Sequence, residues 1–295
     1  MNPVLEGLGY SENDKVVIFH TDDIGMWQST VRAYTDLLDF GLISSAATMI
    51  PCGWFPAVAD ICRQRDDVDM GVHLTITSEW DAYRWSPIST SDPTSGLIDN
   101  EGYFHRTTQT VQAQASAEVV ETEIIAQIDR AKSAGIEPTH IDTHMGALFH
   151  AKFVPSYFQA ALKYRIPNMI PRSSEAEMRL FGLDDAAIAA AQVLMQMMDE
   201  QRIAVFDSFH MMSLDEVWDD PVAQVTAALD SLPVGLNHFI IHPALDTPEL
   251  RAVADDWQAR VRDYEAFKSE RLRDYVTNAG IKVIGYRKLR DWMRG

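Results

Sequence analysis

Two cysteines, Cys52 and Cys62, are all that the chain carries. That is too few for a disulfide framework, so both are read as buried, reduced and structural. Cationic side chains are also scarce: 25 Lys and Arg stand against 43 Asp and Glu, for a formal charge of -18. A field of that sign repels phosphate backbones and anionic lipid headgroups, which argues against nucleic acid and membrane surfaces as partners. A small neutral substrate, or a bound cation that offsets local acidity, fits it better. No run is apolar enough to span a bilayer, and the opening MNPVLEGLGYSENDK lacks a basic start followed by an apolar stretch. The expected compartment is the cytoplasm. Phosphate-cradling motifs of the GxGxxG or GxxxxGKS/T kind are missing as well, which removes the main sign of a nucleotide fold.

With 46% hydrophobic and 23% charged residues, the chain has the balance of a globular protein that can bury a sizeable core. Short apolar runs at 15–20, 43–49, 69–75, 140–143, 168–170, 202–206, 238–242 and 281–284 predict strands. Amphipathic stretches near 27–40, 56–65, 116–134, 152–164, 183–199, 215–232, 248–279 and 286–293 predict the helices between them, with Gly41, Gly135 and Gly280 where helices should end. About eight βα units without a break in composition predict an α/β fold: a single domain over 1–295, built as a deformed TIM-like (β/α) barrel of seven to eight parallel strands. One insertion, at about 77–110, interrupts the alternation. It holds Trp80, Tyr83, Trp85, Tyr103 and Phe104, and reads either as an ordered cover that stacks on a sugar ring or as a packed loop.

Chemistry collects where strands should end, the catalytic face of such a barrel. The first strand runs into HTDDIG, and the adjacent carboxylates Asp22 and Asp23 would repel each other without a cation, a shared proton or strong donors. An N-cap for the next helix is the plain reading of either one. His73 in MGVHLTIT and His144 in THIDTHMG fall at the same level as Asp23, and two imidazoles with a carboxylate make a common divalent-cation site that leaves room for water or substrate. Asp142 shares a strand side with His144 and suits a partner that orients a ligand imidazole. Arg172, His210 and His242 follow later strands at the same rim, as stabilisers of negative charge or proton donors, while His20, His140 and His238 are read as structural.

In order and spacing, HTDDIGM, GLISSAATMIPC, MGVHLTIT, ETEIIAQIDRAKSAGIEPTHIDTHMG and a closing IIHPALD with Arg260 and Asp263 resemble the YdjC-like (ChbG/HpnK) carbohydrate deacetylases over nearly the whole chain. The resemblance implies a deformed barrel related to NodB-type polysaccharide deacetylases. It also implies metal-dependent hydrolysis of an N-acetyl group from an acetylated amino sugar or its oligomer. It assigns one divalent metal ion, magnesium or zinc, to Asp23, His73 and His144, the general base to Asp22 and the general acid to His242. Arg172, His210 and Trp85 are the candidate substrate contacts. Two departures stand out: the arginine segment is spelled IPRSS, and Met145, Gly146 and Ala147 replace the further histidines many members carry after His144. The remaining readings are another barrel amidohydrolase, a metal-free glycosidase with two carboxylates, or a barrel that binds metal and sugar without turnover. A small carbohydrate is the expected partner, and a homodimer is left open.

Overall fold

The computed structural model describes residues 2–173 and 185–295, together with Glu175 and Arg179. Its centre is a parallel sheet in the order β4-β3-β2-β1-β6-β5, formed by Ile141–Thr143, Met70–Leu74, Ser45–Thr48, Lys15–Ile24, Gly235–Ile241 and Ser208–Met211 respectively. A short β7, Lys282–Val283, pairs with the start of β1 on the edge that β2 uses further along. Isolated parallel bridges, Ile141 to Asn168 and Pro171 to Phe206, carry the ring from β4 round to the approach of β5. The sheet thus curls into a deformed (β/α) barrel with helices on its outer face.

Several elements differ from the sequence expectation. The run expected as a strand at 202–206 is buried from Ile203 on but contributes only the bridge at Phe206; the strand proper is Ser208–Met211. The run at 168–170 makes a single bridge at Asn168 instead of a strand. The stretch expected as one helix at 248–279 is three, Pro248–Val253, Trp257–Phe267 and Glu270–Asn278. Asp256 and Ser269 occupy the N-cap positions of the second and third. The helix expected from 215 starts at Pro221, where Asp220 caps Ala223 N and proline needs no donor of its own. Positions 183 and 184 of another expected helix lie outside the described residues. Both thiols are free, with Cys52 buried and Cys62 only partly so. Of the described residues, no helix is long and apolar enough to cross a membrane.

The barrel interior is stratified. Its floor is apolar, with Val4, Leu5, Val16, Ile18, Phe206, Leu236, Ile284 and Leu289 packed round Tyr286. Above that lies a layer of imidazoles. His140 stacks on Tyr286 with centroids 3.7 Å apart, while His20 sits 4.9 Å from His140 and 4.8 Å from His238. Burial lowers the pKa of His140 and drives that of His238 well down, so both are neutral. Burial works the same way on His20, but Asp22 and Asp142 outweigh it and lift the group to about 9. One imidazolium therefore separates the neutral floor from the carboxylates overhead.

The layer fits because β3 places Gly71 against His140: a Cβ there would lie 2.3 Å from the ring. Since Tyr286 blocks the opposite face of that ring, it has no room to yield. Gly71→Ala is expected to cost about 1–3 kcal/mol through overpacking, and an unchanged denaturation midpoint would refute this account of the layer.

Candidate metal and catalytic centre

Successive strand residues point to opposite faces, so Asp22 and Asp23 should not share a cavity. They do so here because the β1–β2 register shifts between Thr21 and Ile24, and Asp23 takes a left-handed φ of 62°. Aspartate tolerates that conformation better than most residues, and the bulge re-aims its side chain to the side that Asp22 already faces.

Asp23 Oδ1 then lies 3.3 Å from His73 Nε2 and 3.1 Å from His144 Nδ1, and the two nitrogens are 3.3 Å apart. A cation 2.0–2.1 Å from each of three donors, at right to tetrahedral angles, would set donor separations of about 2.9–3.4 Å. Asp23 Oδ1 is also buried without a hydrogen-bond partner, as a ligand atom would be. The donor set therefore fits one divalent cation. Asp142 joins two neighbouring groups of possible ligands, but there it is already hydrogen-bonded at 2.8 Å to His20 and 2.7 Å to His73.

Each member of the trio is fixed from behind. Asp142 Oδ1 holds Nδ1 of His73 at 2.7 Å, and Glu79 Oε1 holds Nε2 of His144 at 2.9 Å. Each contact leaves the other ring nitrogen facing Asp23. Arg260 donates to Asp23 Oδ2 at 2.7 Å and to both oxygens of Asp256 at 2.8 and 2.9 Å, with its guanidinium 5.1 Å from the centre of the Trp27 ring. Burial would raise the pKa of Asp23, yet Arg260 and then His144 hold it well below the carboxylate range. Burial would lower His73, but Asp142 and Asp22 hold it well above its ordinary value. The same opposition at His144, with Glu79 and Asp23 prevailing, gives about 9.

Asp22 Oδ1 lies 2.8 Å from His20 Nε2, whose proton has hydrogen-bond geometry only toward Asp142. The other oxygen, Oδ2, is 3.8 Å from Nε2 of His242. His242 donates its backbone N–H to Asp263 Oδ2 at 2.8 Å, burial lowers the pKa of its ring, and Nδ1 is buried without a partner. Burial also lifts Asp263 to about 7.

Of the eight residues singled out from sequence, Asp22, Asp23, His73, His144 and His242 converge. Arg172 and His210 do not join them, while Trp85 reaches the ring of His144 edge-on, with centroids 6.4 Å apart. Arg172 pairs with Asp199 at 2.6 Å. The ring of His210 stacks on Phe239, a member of the outer helix-packed core. Trp85 is buried beneath the long loop, with its indole N–H on Thr77 O at 2.7 Å. Sequence reading gave no role to Glu79 and took His20 as structural. For His20 the signal was present, since it lies two residues before Asp22 and so on the same strand side. For Glu79, one acid in a polar loop, there was none.

A family model described as YdjC-like protein matches residues 16–278. A carbohydrate deacetylase of Thermus thermophilus is 31% identical over 92% of this chain and 92% of its own. A carbohydrate deacetylase of Thermoanaerobacter pseudethanolicus is 23% identical over 92% of this chain and 98% of its own. Among solved structures, a protein of Enterococcus faecalis V583 described as a candidate cellobiose-phosphate cleavage protein has the same fold. It superposes with a TM-score of 0.74 at 20% identity, covering 94% of this chain and 99% of its own. On its barrel, its carboxylate–imidazole centre and these matches, the chain belongs to the YdjC-like family.

Proposed function

We propose that the protein is a metal-dependent carbohydrate deacetylase that hydrolyses the N-acetyl group of an acetylated amino sugar or oligosaccharide to acetate and a free amine. The observation that carries this reading is the trio of donor atoms 3.1–3.3 Å apart beside the facing pair Asp22 and His242. The names of the curated relatives support the carbohydrate, and a chain of charge -18 suits an uncharged substrate.

Asp23, His73 and His144 would hold the cation. A divalent ion bound there supplies Lewis acidity, which acidifies water and polarises a carbonyl oxygen. Asp22 would take the proton of the attacking water: Oδ1 lies beside the His20 imidazolium, and Oδ2 faces the cavity near His242. Burial lowers the pKa of the His242 ring, which favours its neutral form at rest. Asp22 Oδ2, where that proton would rest, lies 3.8 Å from His242 Nε2. Passed across that gap, the proton becomes the one that His242 gives to the departing amine when the C–N bond breaks. Asp263 fixes the His242 backbone, and Arg260 keeps Asp23 ionised and oriented.

Acetate release from a panel of N-acetylated mono- and oligosaccharides is expected to require metal and to stop on chelation. Asp22→Asn is expected to keep the metal and lose roughly 100- to 10,000-fold in kcat, the usual worth of a general base, whereas His73→Ala and His144→Ala are expected to lose the metal. Equal metal loss in all three variants would sink the assignment of Asp22, and release that survives exhaustive chelation would sink the metal.

The pH dependence follows from the raised imidazoles. His73 is held well above its ordinary value and His144 at about 9. In the metal-free protein their ion pairs therefore contribute stability fully below about 6.5, the unfolded value, and lose it as pH rises through about 9. A ligand imidazole must be neutral, so cation uptake near neutral pH is expected to release protons and to tighten as pH rises. Titrating the metal in buffers of different ionisation enthalpy checks this, and an affinity that does not change between about pH 6 and 9 would contradict it.

A further inference from the structure

The two ligand imidazoles are braced in different ways. His73 lies within β3 and takes its brace, Asp142, from the adjacent strand β4. His144 lies one residue beyond β4, and Met145 and Gly146 after it both have positive φ, 56° and 62°. No strand pairing therefore fixes the backbone of His144. Its Nε2 is fixed at 2.9 Å by Glu79 Oε1, which belongs to the long loop. The second oxygen of Glu79, Oε2, is buried without a hydrogen-bond partner among the described residues, so His144 is what offsets the burial of that carboxylate.

The loop that supplies Glu79 is a closed unit. Ser78 N donates to His105 O at 2.9 Å across its neck, and Arg106 Nη1 donates to Trp80 O at 2.9 Å. Trp85, Leu97 and Phe104 form its buried filling. It grips the centre a second time through Tyr83, whose hydroxyl donates to Met26 O at 2.6 Å, and through Trp80, whose ring lies 5.5 Å from that of Trp27. Trp27 is the residue over which Arg260 lies.

We propose that Glu79 is a positioning residue for His144, and that through it the order of the loop at 77–107 and cation binding at Asp23, His73 and His144 form one coupled equilibrium. The proposal rests on the metal reading above. An ordered loop holds His144 with its Nδ1 toward Asp23; a cation bound there holds His144 where Glu79 can meet it. Coupling of this kind acts equally in both directions.

The test reads Zn2+ affinity by competition with a chromophoric chelator and amide hydrogen exchange across the loop, both on the full chain. Glu79→Gln keeps the shape and an acceptor oxygen but removes the charge, and is expected to weaken Zn2+ binding roughly 10- to 100-fold. Zn2+ is expected to slow exchange at 77–107 in the parent protein and to slow it less in the variant. Tyr83→Phe releases the loop at a point remote from His144 and is expected to weaken Zn2+ binding several-fold, an effect that a purely local role for Glu79 would not produce. Zn2+ affinity of Glu79→Gln within twofold of the parent would overturn the proposal, as would loop exchange indifferent to Zn2+. His73→Ala separates the two readings: if it binds Zn2+ as tightly as the parent, the cation lies elsewhere, and the metal reading fails together with the brace built on it.

Discussion

Two adjacent carboxylates facing one buried cavity are the constraint from which the rest of the centre follows. A regular strand cannot turn Asp22 and Asp23 the same way, and a low-dielectric interior does not tolerate both charges without compensation. The bulge in β1 solves the first problem with one left-handed residue. The second is solved from opposite sides: Arg260 reaches in from the helix Trp257–Phe267 to pair with Asp23, and His20 rises from the imidazole layer beside Asp22. Each partner has a counterweight of its own, Asp256 on Arg260 and Asp142 on His20. Truncating one member of such a buried pair is more damaging than the pair is stabilising, because the survivor keeps its charge and loses its partner.

On the proposed reading, the compensation also separates the two carboxylates by role. Asp23 has its outer oxygen on a guanidinium and its inner oxygen without a partner, a combination suited to a fixed ligand. Asp22 has no guanidinium; one of its oxygens lies beside His20 without a hydrogen bond and the other faces His242 at 3.8 Å, a combination suited to a general base. Identical side chains at neighbouring positions thus meet different surroundings.

How much of this could be read from sequence depended on whether the signal was local. His73 and His144 could be placed at one depth because β alternation and parallel register carry a strand-end residue to a known level; Asp142 was read through its parity with His144, yet it binds His73, its register partner on the adjacent strand. His242 was legible as the last polar group after an apolar strand. Strand 202–206 was misplaced because an apolar run reports burial, not pairing: Ile203, Ala204 and Val205 are buried, yet the ladder begins only at Ser208. Trp85 offered an aromatic ring in a loop, and sequence cannot tell a ring that lines a surface from one that fills the space beneath it. Glu79 and Arg260 meet their partners across 65 and 237 residues, separations at which only the closed fold brings the groups together.

The charge state of the metal-free centre bears on how a cation would enter it. Asp142, Asp22, Glu79 and Asp23 raise the pKa of the His73 and His144 imidazoles against the cost of burial, which favours protons on this pair in the metal-free centre. Two protons and one divalent cation have the same charge. Exchanging them leaves the field at Asp23, Asp142 and Glu79 nearly balanced, so Arg260 and His20 can keep the same partners before and after. On the proposed reading, the surrounding carboxylates suit a double positive charge at one point whether protons or a metal provide it. That is preorganisation in the electrostatic sense: the dipoles and ion pairs that would stabilise the loaded state are already in place.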